Sequence, residues 1–287
     1  DRLLGEHPST AVPNVAPSSQ WTALKAALNE SVPCPPPVAS APPQAQGART
    51  LADYSGEIGR HNRAQPNAPL LDAIRAYNHT MIDALQQSRP LRGKRVLDIG
   101  ASPHGYALER ALQWDAAEYV GVGLDVHEPI EVRATHGVGR LVAMNAEQLD
   151  FPGESFDLVF SISTFEHVSD VAKVLAEIKR VLKPGGSALI SFEPIWTCSY
   201  GHHLHHFGPV SKTMPDWAHL LWDKPRMLAE LAGVWPANAA LTLEEAARWV
   251  YDSDAINRVP IGQMRDHFAA CGMPIEWIAP MPDEPRD

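Results

Sequence analysis

The sequence predicts a doubly wound α/β fold, in which helices cover both faces of a mainly parallel β-sheet. Between residues 94 and 193, short apolar runs alternate with segments of helical periodicity, which is typical of strands joined by crossover helices. A second observation is the sequence Lys183-Pro184-Gly185-Gly186, which directly follows one of the helical segments. Because proline and glycine end a helix and turn the chain, this sequence indicates a connection into the next strand.

The elements follow in order from the apolar pattern. Apolar residues recur at helical spacing over residues 70–85 and predict an amphipathic helix that leads into the core. Five apolar runs predict the strands of the sheet, at residues 95–99, 119–124, 141–143, 156–162 and 187–192. Further helices are predicted at residues 107–114, 171–182 and 261–271. Residues 275–278 predict one more short strand, after which a final antiparallel hairpin is hard to complete in a proline-containing tail.

The composition divides the chain into four segments. Nine of the 26 prolines lie within the first 50 residues, which favours extended backbone and indicates a proline-rich arm at 1–50. Residues 51–90 form an N-terminal helical segment in this division, and residues 91–195 form the α/β core. Residues 196–287, rich in His, Trp and Pro at first, are interpreted as an insert that binds a substrate, followed by the last helix and strand.

Charge and cysteine content restrict the partners. With 24 Lys and Arg against 34 Asp and Glu, the net charge of −10 disfavours a nucleic-acid partner. We find no apolar run that approaches the ~18 residues needed to cross a bilayer and expect neither a membrane anchor nor a signal peptide. The three cysteines lack CxxC spacing, which argues against a disulfide framework and favours the cytoplasm. The oligomeric state stays open.

A glycine-containing turn predicts a nucleotide-like ligand. The buried strand at 95–99 runs into Gly100 and Gly105, and the helix that follows offers free N–H groups. A tight strand-to-helix connection without a ligand is the alternative interpretation. Asp125 follows the second strand, about 20 residues after the turn, where a carboxylate accepts the hydroxyl groups of a ribose. Asn145 and Ala146 follow the third strand and are placed to contact an adenine edge.

The fourth strand, with Phe156-Asp157-Leu158-Val159, continues to Glu166-His167-Val168, and the helix after it ends at the Lys-Pro-Gly-Gly turn. In this order the motifs, which cover residues 95–193, closely resemble those of the class I S-adenosylmethionine-dependent methyltransferases. The resemblance implies a Rossmann-like fold, an enzyme and S-adenosyl-L-methionine as its cofactor. It further implies that the following residues bind the cofactor: Asp98, Gly100 and Gly105 at the methionine, Asp125 at the ribose, Asn145 and Ala146 at the adenine, and Ser161 with its neighbours closing the site.

The glycine turn departs from the family pattern. It contains Ser102 where the family has its middle glycine, and it is one residue longer than Gly-x-Gly-x-Gly. We expect the Ser102 hydroxyl to hydrogen-bond the cofactor carboxylate. NAD is the competing ligand, but no catalytic pattern typical of a dehydrogenase follows, whereas the Glu-His and Lys-Pro-Gly-Gly signals belong to the methyltransferases.

Histidine is the natural proton acceptor near neutral pH, and the sequence offers two candidates. His167 follows the fourth strand at the edge where open α/β folds bind ligands, although it is also interpretable as a packing or helix-start residue. The second candidate is His203, within a cluster of four histidines at residues 202–206. That cluster has three interpretations: a lining of the acceptor site with one catalytic His, a divalent-metal site of His202, His206 and His219, or a solvated loop. A metal is not predicted.

The acceptor is predicted to be an oxygen atom of a small molecule or a glycan. Residues 215–222 and 256–260 look like accessory segments of methyltransferases from glycan and secondary-metabolite pathways. A nitrogen or carbon acceptor in a secondary metabolite is the rival within the enzyme class. From another class, the chain is interpretable as a catalytically idle, cofactor-binding regulatory module.

Overall fold

The computed structural model describes residues 49–204, 207, 210, 213–276 and 278. Almost the whole of the predicted arm at 1–50 therefore lies outside the described residues, as do His205 and His206. Among the helices that are described, none combines the length and the apolar character required to cross a membrane.

Seven strands and eight α-helices are assigned within these residues. In chain order they are β1 (Arg49–Thr50), α1 (Leu51–Ala64), α2 (Ala68–Ser88), β2 (Arg95–Ile99), α3 (Tyr106–Gln113), β3 (Glu118–Gly123), β4 (Ile130–Arg133), β5 (Val138–Ala143), β6 (Phe156–Ile162), α4 (Val171–Val181), β7 (Leu182–Ser191), α5 (Ala218–Leu221), α6 (Lys224–Leu231), α7 (Leu243–Tyr251) and α8 (Ile261–Ala270).

The strands form one sheet in the order β1-β4-β5-β3-β2-β6-β7. All neighbouring strands are parallel except β4 and β5, which are antiparallel. The predicted fold class, a doubly wound and mainly parallel Rossmann-like sheet, is thereby confirmed. From β2 the chain builds outward through β3 to one side and later through β6 to the other. A crevice is expected at such a reversal, outside the carboxyl ends of the strands.

Alternate residues of the central strands supply two hydrophobic cores, one on each face of the sheet. Val96 packs in the core covered by α1, α2 and α3, whereas Leu97 and Ile99 pack in the core covered by α4 and α8. The amphipathic pattern along residues 70–85 is explained by the first core, because Ile82 and Leu85 of α2 are buried there. A third core, formed by α5, α6 and α7 with nearby loops, gives the insert its own hydrophobic interior.

The predicted and observed elements agree most closely in the buried centre. Strands β2 and β6 have the predicted bounds, and helix α4 ends one residue before the predicted end, at Val181. The predicted turn at residues 183–186 forms a bulge at the start of β7, since Phe156 pairs with Leu182 but Leu158 pairs with Ser187. Gly185 adopts φ +75° within this bulge.

The strand predicted at residues 275–278 is wrong for the residues that are described, because residues 272–276 and 278 have no strand conformation. Ile275 and Ile278 are 52% and 61% exposed, so this apolar run gains no burial from pairing with the sheet. The sheet instead extends at its opposite edge through β4 and β1, which the sequence did not predict. Residue Trp277 lies outside the described part of the chain.

Helix α1 packs directly on the glycine turn that follows β2. The Tyr54 hydroxyl donates a hydrogen bond to the backbone oxygen of His104 at 3.1 Å. Gly105 follows in the left-handed conformation, with φ +62°, and a Cβ atom there would lie 2.1 Å from the Tyr54 hydroxyl oxygen. A second hydrogen bond, from the Tyr106 hydroxyl to Oδ1 of Asn62 at 3.0 Å, joins the start of α3 to α1. The turn is therefore shaped by close contact with α1 as well as by its own sequence.

We expect Gly105→Ala to lower the free energy of unfolding by about 1–3 kcal/mol more than Gly93→Ala does. Both glycines have positive φ, but a Cβ at Gly93 meets no atom within 4 Å, so that variant measures the conformational cost alone. Urea denaturation of both variants tests this difference. Adding Tyr54→Phe to Gly105→Ala should recover part of the loss, because it removes the clashing oxygen. Equal losses at the two glycines would contradict the close packing of α1 on the turn.

Candidate functional site

The loops that follow β2, β3, β5 and β6 meet at the carboxyl edge of the sheet. The register aligns the ends of these strands, since Ile99 pairs with Val122 and with Ser161, and Gly123 pairs with Ala143. The residues predicted to bind the cofactor lie in these strands and loops, so the structure brings them to one edge. This is the edge at which open α/β sheets bind ligands.

Gly100 lies where the loops after β2 and β6 touch. Its φ is +82°, and a Cβ atom there would lie 1.9 Å from Oγ1 of Thr164. Thr164 is held by its hydroxyl, which donates to the backbone oxygen of Ile162 at 3.0 Å. A side chain at position 100 would therefore displace Thr164. Because glycine has no side chain, the backbone at this position is accessible at the exposed edge of the sheet. Further along the turn, Oγ of Ser102 accepts a hydrogen bond from the backbone N–H of His104 at 3.2 Å.

Asp98 is a buried acid at the end of β2. Its side chain accepts a hydrogen bond from the Tyr119 hydroxyl at 2.5 Å, and the residue is 5% exposed. Burial raises the pKa of Asp98 to about 7, although the hydrogen bond from Tyr119 acts in the opposite direction. The carboxyl group is therefore fixed in position on the face of the sheet covered by α1, α2 and α3.

The two acceptor groups predicted for an adenosine lie on neighbouring loops. Asp125, after β3, is exposed, and its carboxylate makes no hydrogen bond or ion pair with another described residue. Asn145, after β5, is also exposed, with Oδ1 accepting the backbone N–H of Glu147 at 2.9 Å, and Ala146 beside it is half-buried. An exposed carboxylate and an accessible glycine turn on adjacent strands fit a ligand that carries both a ribose and a charged tail.

Ser161 has a different environment from the other predicted cofactor residues. It is fully buried, and its hydroxyl donates to the backbone oxygen of Ile99 at 2.9 Å. The side chain therefore joins β6 to β2 inside the sheet. Its neighbours Ser163 and Thr164 are the residues of this segment that reach the edge.

Asn257 of the insert makes several hydrogen bonds with the loop after β6. Nδ2 of Asn257 donates to the backbone oxygens of Phe165, at 2.6 Å, and Val168, at 3.1 Å. The backbone N–H of Asn257 donates to the backbone oxygen of Glu166 at 2.9 Å. These three bonds fix the backbone on both sides of His167 against the insert.

His167 and His203, predicted from separate motifs, lie together, with ring centroids 5.2 Å apart. Nδ1 of His167 lies 2.5 Å from the backbone oxygen of Ala255, and Nδ1 of His203 lies 2.7 Å from that of Gly201. Because a carbonyl oxygen only accepts, each Nδ1 carries the proton, and in the neutral ring Nε2 carries the lone pair. His203 is fully buried and His167 is exposed, so the pair extends from the interior to the surface.

Two further residues of this region were not predicted as functional. Glu166 is 2% exposed, and its Oε1 accepts the backbone N–H of Glu193 at 3.3 Å, whereas Oε2 has no hydrogen-bond partner among the described residues. Burial raises the pKa of Glu166 to about 8. Tyr77 of α2 is also buried, which raises its pKa to about 12 despite the nearby hydroxyls of Ser163 and Ser191. In the sequence, the Glu-His-Val motif points to Glu166. Tyr77, by contrast, is one of several residues in the apolar pattern of α2.

The histidines considered for a metal are arranged differently from the predicted set. Nδ1 of His202 accepts the backbone N–H of Leu204 at 3.0 Å, and the ring of His202 lies 5.3 Å from that of His219. His219 is itself bound through Nε2 to the backbone oxygen of Trp196 at 2.7 Å, and His206 lies outside the described residues. A different group gathers potential ligand atoms, since one atom from each of Glu166, His167 and His203 lies within 4.8 Å of the other two.

Comparison with known proteins shows which family the chain resembles. A family model described as a methyltransferase domain matches residues 97–190, which contain most of the sheet. The ubiquinone biosynthesis O-methyltransferase of Hahella chejuensis is 30% identical over 181 residues, covering 61% of this chain and 74% of that protein. An uncharacterized methyltransferase of Mycobacterium sp. (strain JLS) is 31% identical over 168 residues, covering 57% of this chain. The chain spans 64% of the length of that mycobacterial relative.

Among solved structures, an S-adenosylmethionine-dependent methyltransferase from Mesorhizobium loti has 25% sequence identity and a TM-score of 0.33, covering 39% of this chain and 52% of that one. The chain belongs to the class I S-adenosylmethionine-dependent methyltransferase family.

Proposed function

We propose that the protein transfers a methyl group from S-adenosyl-L-methionine to an oxygen atom of a small molecule or a glycan. The observation that carries this proposal is the pair His167 and His203, each with its Nδ1 proton donated to a backbone oxygen. A hydroxyl acceptor must lose its proton as it is methylated, and these tautomers leave Nε2 as the proton acceptor. The relative from Hahella chejuensis, whose name denotes an O-methyltransferase, supports an oxygen acceptor.

In this proposal, each part of the cofactor is bound by a different group of residues at the sheet edge. Asp98, Gly100 and Gly105 border the methionine part, and the Ser102 hydroxyl bonds its carboxylate. Asp125 accepts the ribose hydroxyls, and Asn145 with Ala146 meets the adenine, while Ser161 holds the strands that close the site. The exposure of Asp125 and Asn145 supports these roles, because both side chains are accessible to a ligand. The bound cofactor supplies an electrophilic methyl group on a sulfonium.

The proposal assigns His203 as the base, with His167 as the second candidate. In the transfer, Nε2 of the base takes the hydroxyl proton while the acceptor oxygen bonds the methyl carbon and the carbon–sulfur bond breaks. Burial favours His203, because its ring is held in one orientation and its proton acceptor is shielded from bulk water.

We expect Asp125→Ala to raise the dissociation constant for S-adenosylhomocysteine by about 10- to 100-fold. The reason is that hydrogen bonds to a charged acceptor contribute about 1.5–3 kcal/mol. Calorimetric titration measures the change, and Glu128→Ala is the matched control, because Glu128 is an exposed acid in the same loop. Equal affinity in the wild-type chain and Asp125→Ala would contradict the ribose assignment.

We expect His203→Ala to reduce turnover by on the order of 10²-fold while the affinity for the cofactor is retained, as is typical of losing a general base. Turnover is measured as formation of S-adenosylhomocysteine against a panel of hydroxyl acceptors, and the same panel is run with His167→Ala. His136→Ala, which changes an exposed histidine in the turn between β4 and β5, is the control. Unchanged turnover in both variants would remove the pair from the mechanism. Cofactor binding without turnover on hydroxyl, amine or carbon acceptors would indicate the regulatory module instead.

A further inference from the structure

We propose that Glu166, His167 and His203 form a binding site for a divalent cation, with one carboxylate and two imidazole ligands. One potential ligand atom from each residue lies within 4.8 Å of those of the other two. Metal–ligand bonds of about 2.1 Å place neighbouring ligand atoms roughly 3–3.5 Å apart. The three atoms would have to approach one another by an ångström or so to bind one ion, which is the movement that the proposal requires.

The hydrogen bonds of the two histidines already have the arrangement that metal ligands require. An imidazole that binds a metal through one nitrogen usually donates the N–H of the other nitrogen to a carbonyl or carboxylate oxygen, which fixes its tautomer and orientation. His167 and His203 both do so, to the backbone oxygens of Ala255 and Gly201. These bonds direct the lone pair to Nε2 in both rings. A ligand shared by both Nε2 atoms would explain why these two neighbouring histidines have the same hydrogen-bond pattern.

The surroundings of Glu166 give a second observation in favour of the cation site, independent of the histidine hydrogen bonds. Its Oε2 is buried and has no hydrogen-bond partner among the described residues, and no ion pair joins this carboxyl group to a Lys or Arg of the described chain. A carboxylate is costly to bury unless a cation or hydrogen-bond donors compensate it. A divalent ion between Glu166 and the imidazoles would compensate the carboxylate form of this group.

The ligand set indicates the class of ion. Two imidazoles and one carboxylate suit Zn²⁺, Mn²⁺ or Fe²⁺, and in such sites they leave further coordination positions open. The exposure of His167 places one side of the group at the surface, where an acceptor can approach. This use of the site rests on the proposed function: a hydroxyl bound to the ion has a lowered pKa and loses its proton to water. A coordinated Nε2 does not accept that proton, so with the ion bound the cation would take over the activation that the proposed function assigns to the imidazole of the ion-free chain.

Binding is tested on the untagged full chain, after treatment with a chelator, by calorimetric titration with Zn²⁺ and Mn²⁺ and by the absorption spectrum of added Co²⁺. We expect one ion per chain, and we expect Glu166→Gln, His167→Ala and His203→Ala each to weaken binding by more than about 10-fold. Glu166→Gln retains the shape of the side chain and its acceptor oxygen, which keeps the test valid if a histidine variant unfolds. His136→Ala is the control and should bind as the wild-type chain does.

The outcomes separate this inference from the proposed function. No binding of any of the three ions, binding that survives all three substitutions, or binding lost in His206→Ala but retained in Glu166→Gln would overturn the cation site. Methyl transfer that persists in the chelated chain with full rate would overturn the activating role and leave the proposed function standing. Stoichiometric ion binding without turnover on any acceptor would support the site and contradict the proposed function.

Discussion

The arrangement at the sheet edge depends on the hydrogen bonds that Asn257 makes with the loop after β6. Its side chain donates to Phe165 and Val168, and its backbone donates to Glu166, so three peptide groups of one short loop are satisfied from the insert. Buried backbone groups are costly when unpaired. These hydrogen bonds therefore fix the insert and the loop against each other. The backbone is fixed on both sides of His167. The bond from Nδ1 of His167 to the backbone oxygen of Ala255 adds to this joint between the loop and the insert.

The surroundings of His203 explain why a left-handed conformation is tolerated there. Its φ of +58° is unfavourable for a residue with a side chain, and such conformations persist where the surroundings determine them. The Nδ1 bond to Gly201, full burial and the contact with the His167 ring supply those surroundings. This conformation has a local cost in free energy. The contacts that place the His203 ring against the loop after β6 offset that cost.

The sequence predicted the central strands of the sheet better than the path of the insert, for a physical reason. Strands β2 and β6 are buried on both faces, so each appears as a continuous apolar run whose ends are marked by turn residues. The glycine turn and Asp125 then follow at fixed distances along the chain. The pairing of His203 with Glu166 depends instead on the path of the insert, which local periodicity does not encode. Strand β1 was missed likewise, because it pairs with β4, about 80 residues later in the chain.

The loop after β6 is where the two halves meet, and its shortness has a chemical consequence. Thr164 lies against Gly100 at the cofactor end, and His167 lies three residues later at the acceptor end. Three residues span at most about 10 Å of extended chain, so the two ends remain neighbours whatever the conformation of the loop. Methyl transfer requires the donor carbon and the acceptor oxygen in contact, with the proton acceptor or cation beside that oxygen. A single loop that borders the glycine turn and also carries Glu166 and His167 would meet this requirement in the proposed function, with His203 supplied by the insert.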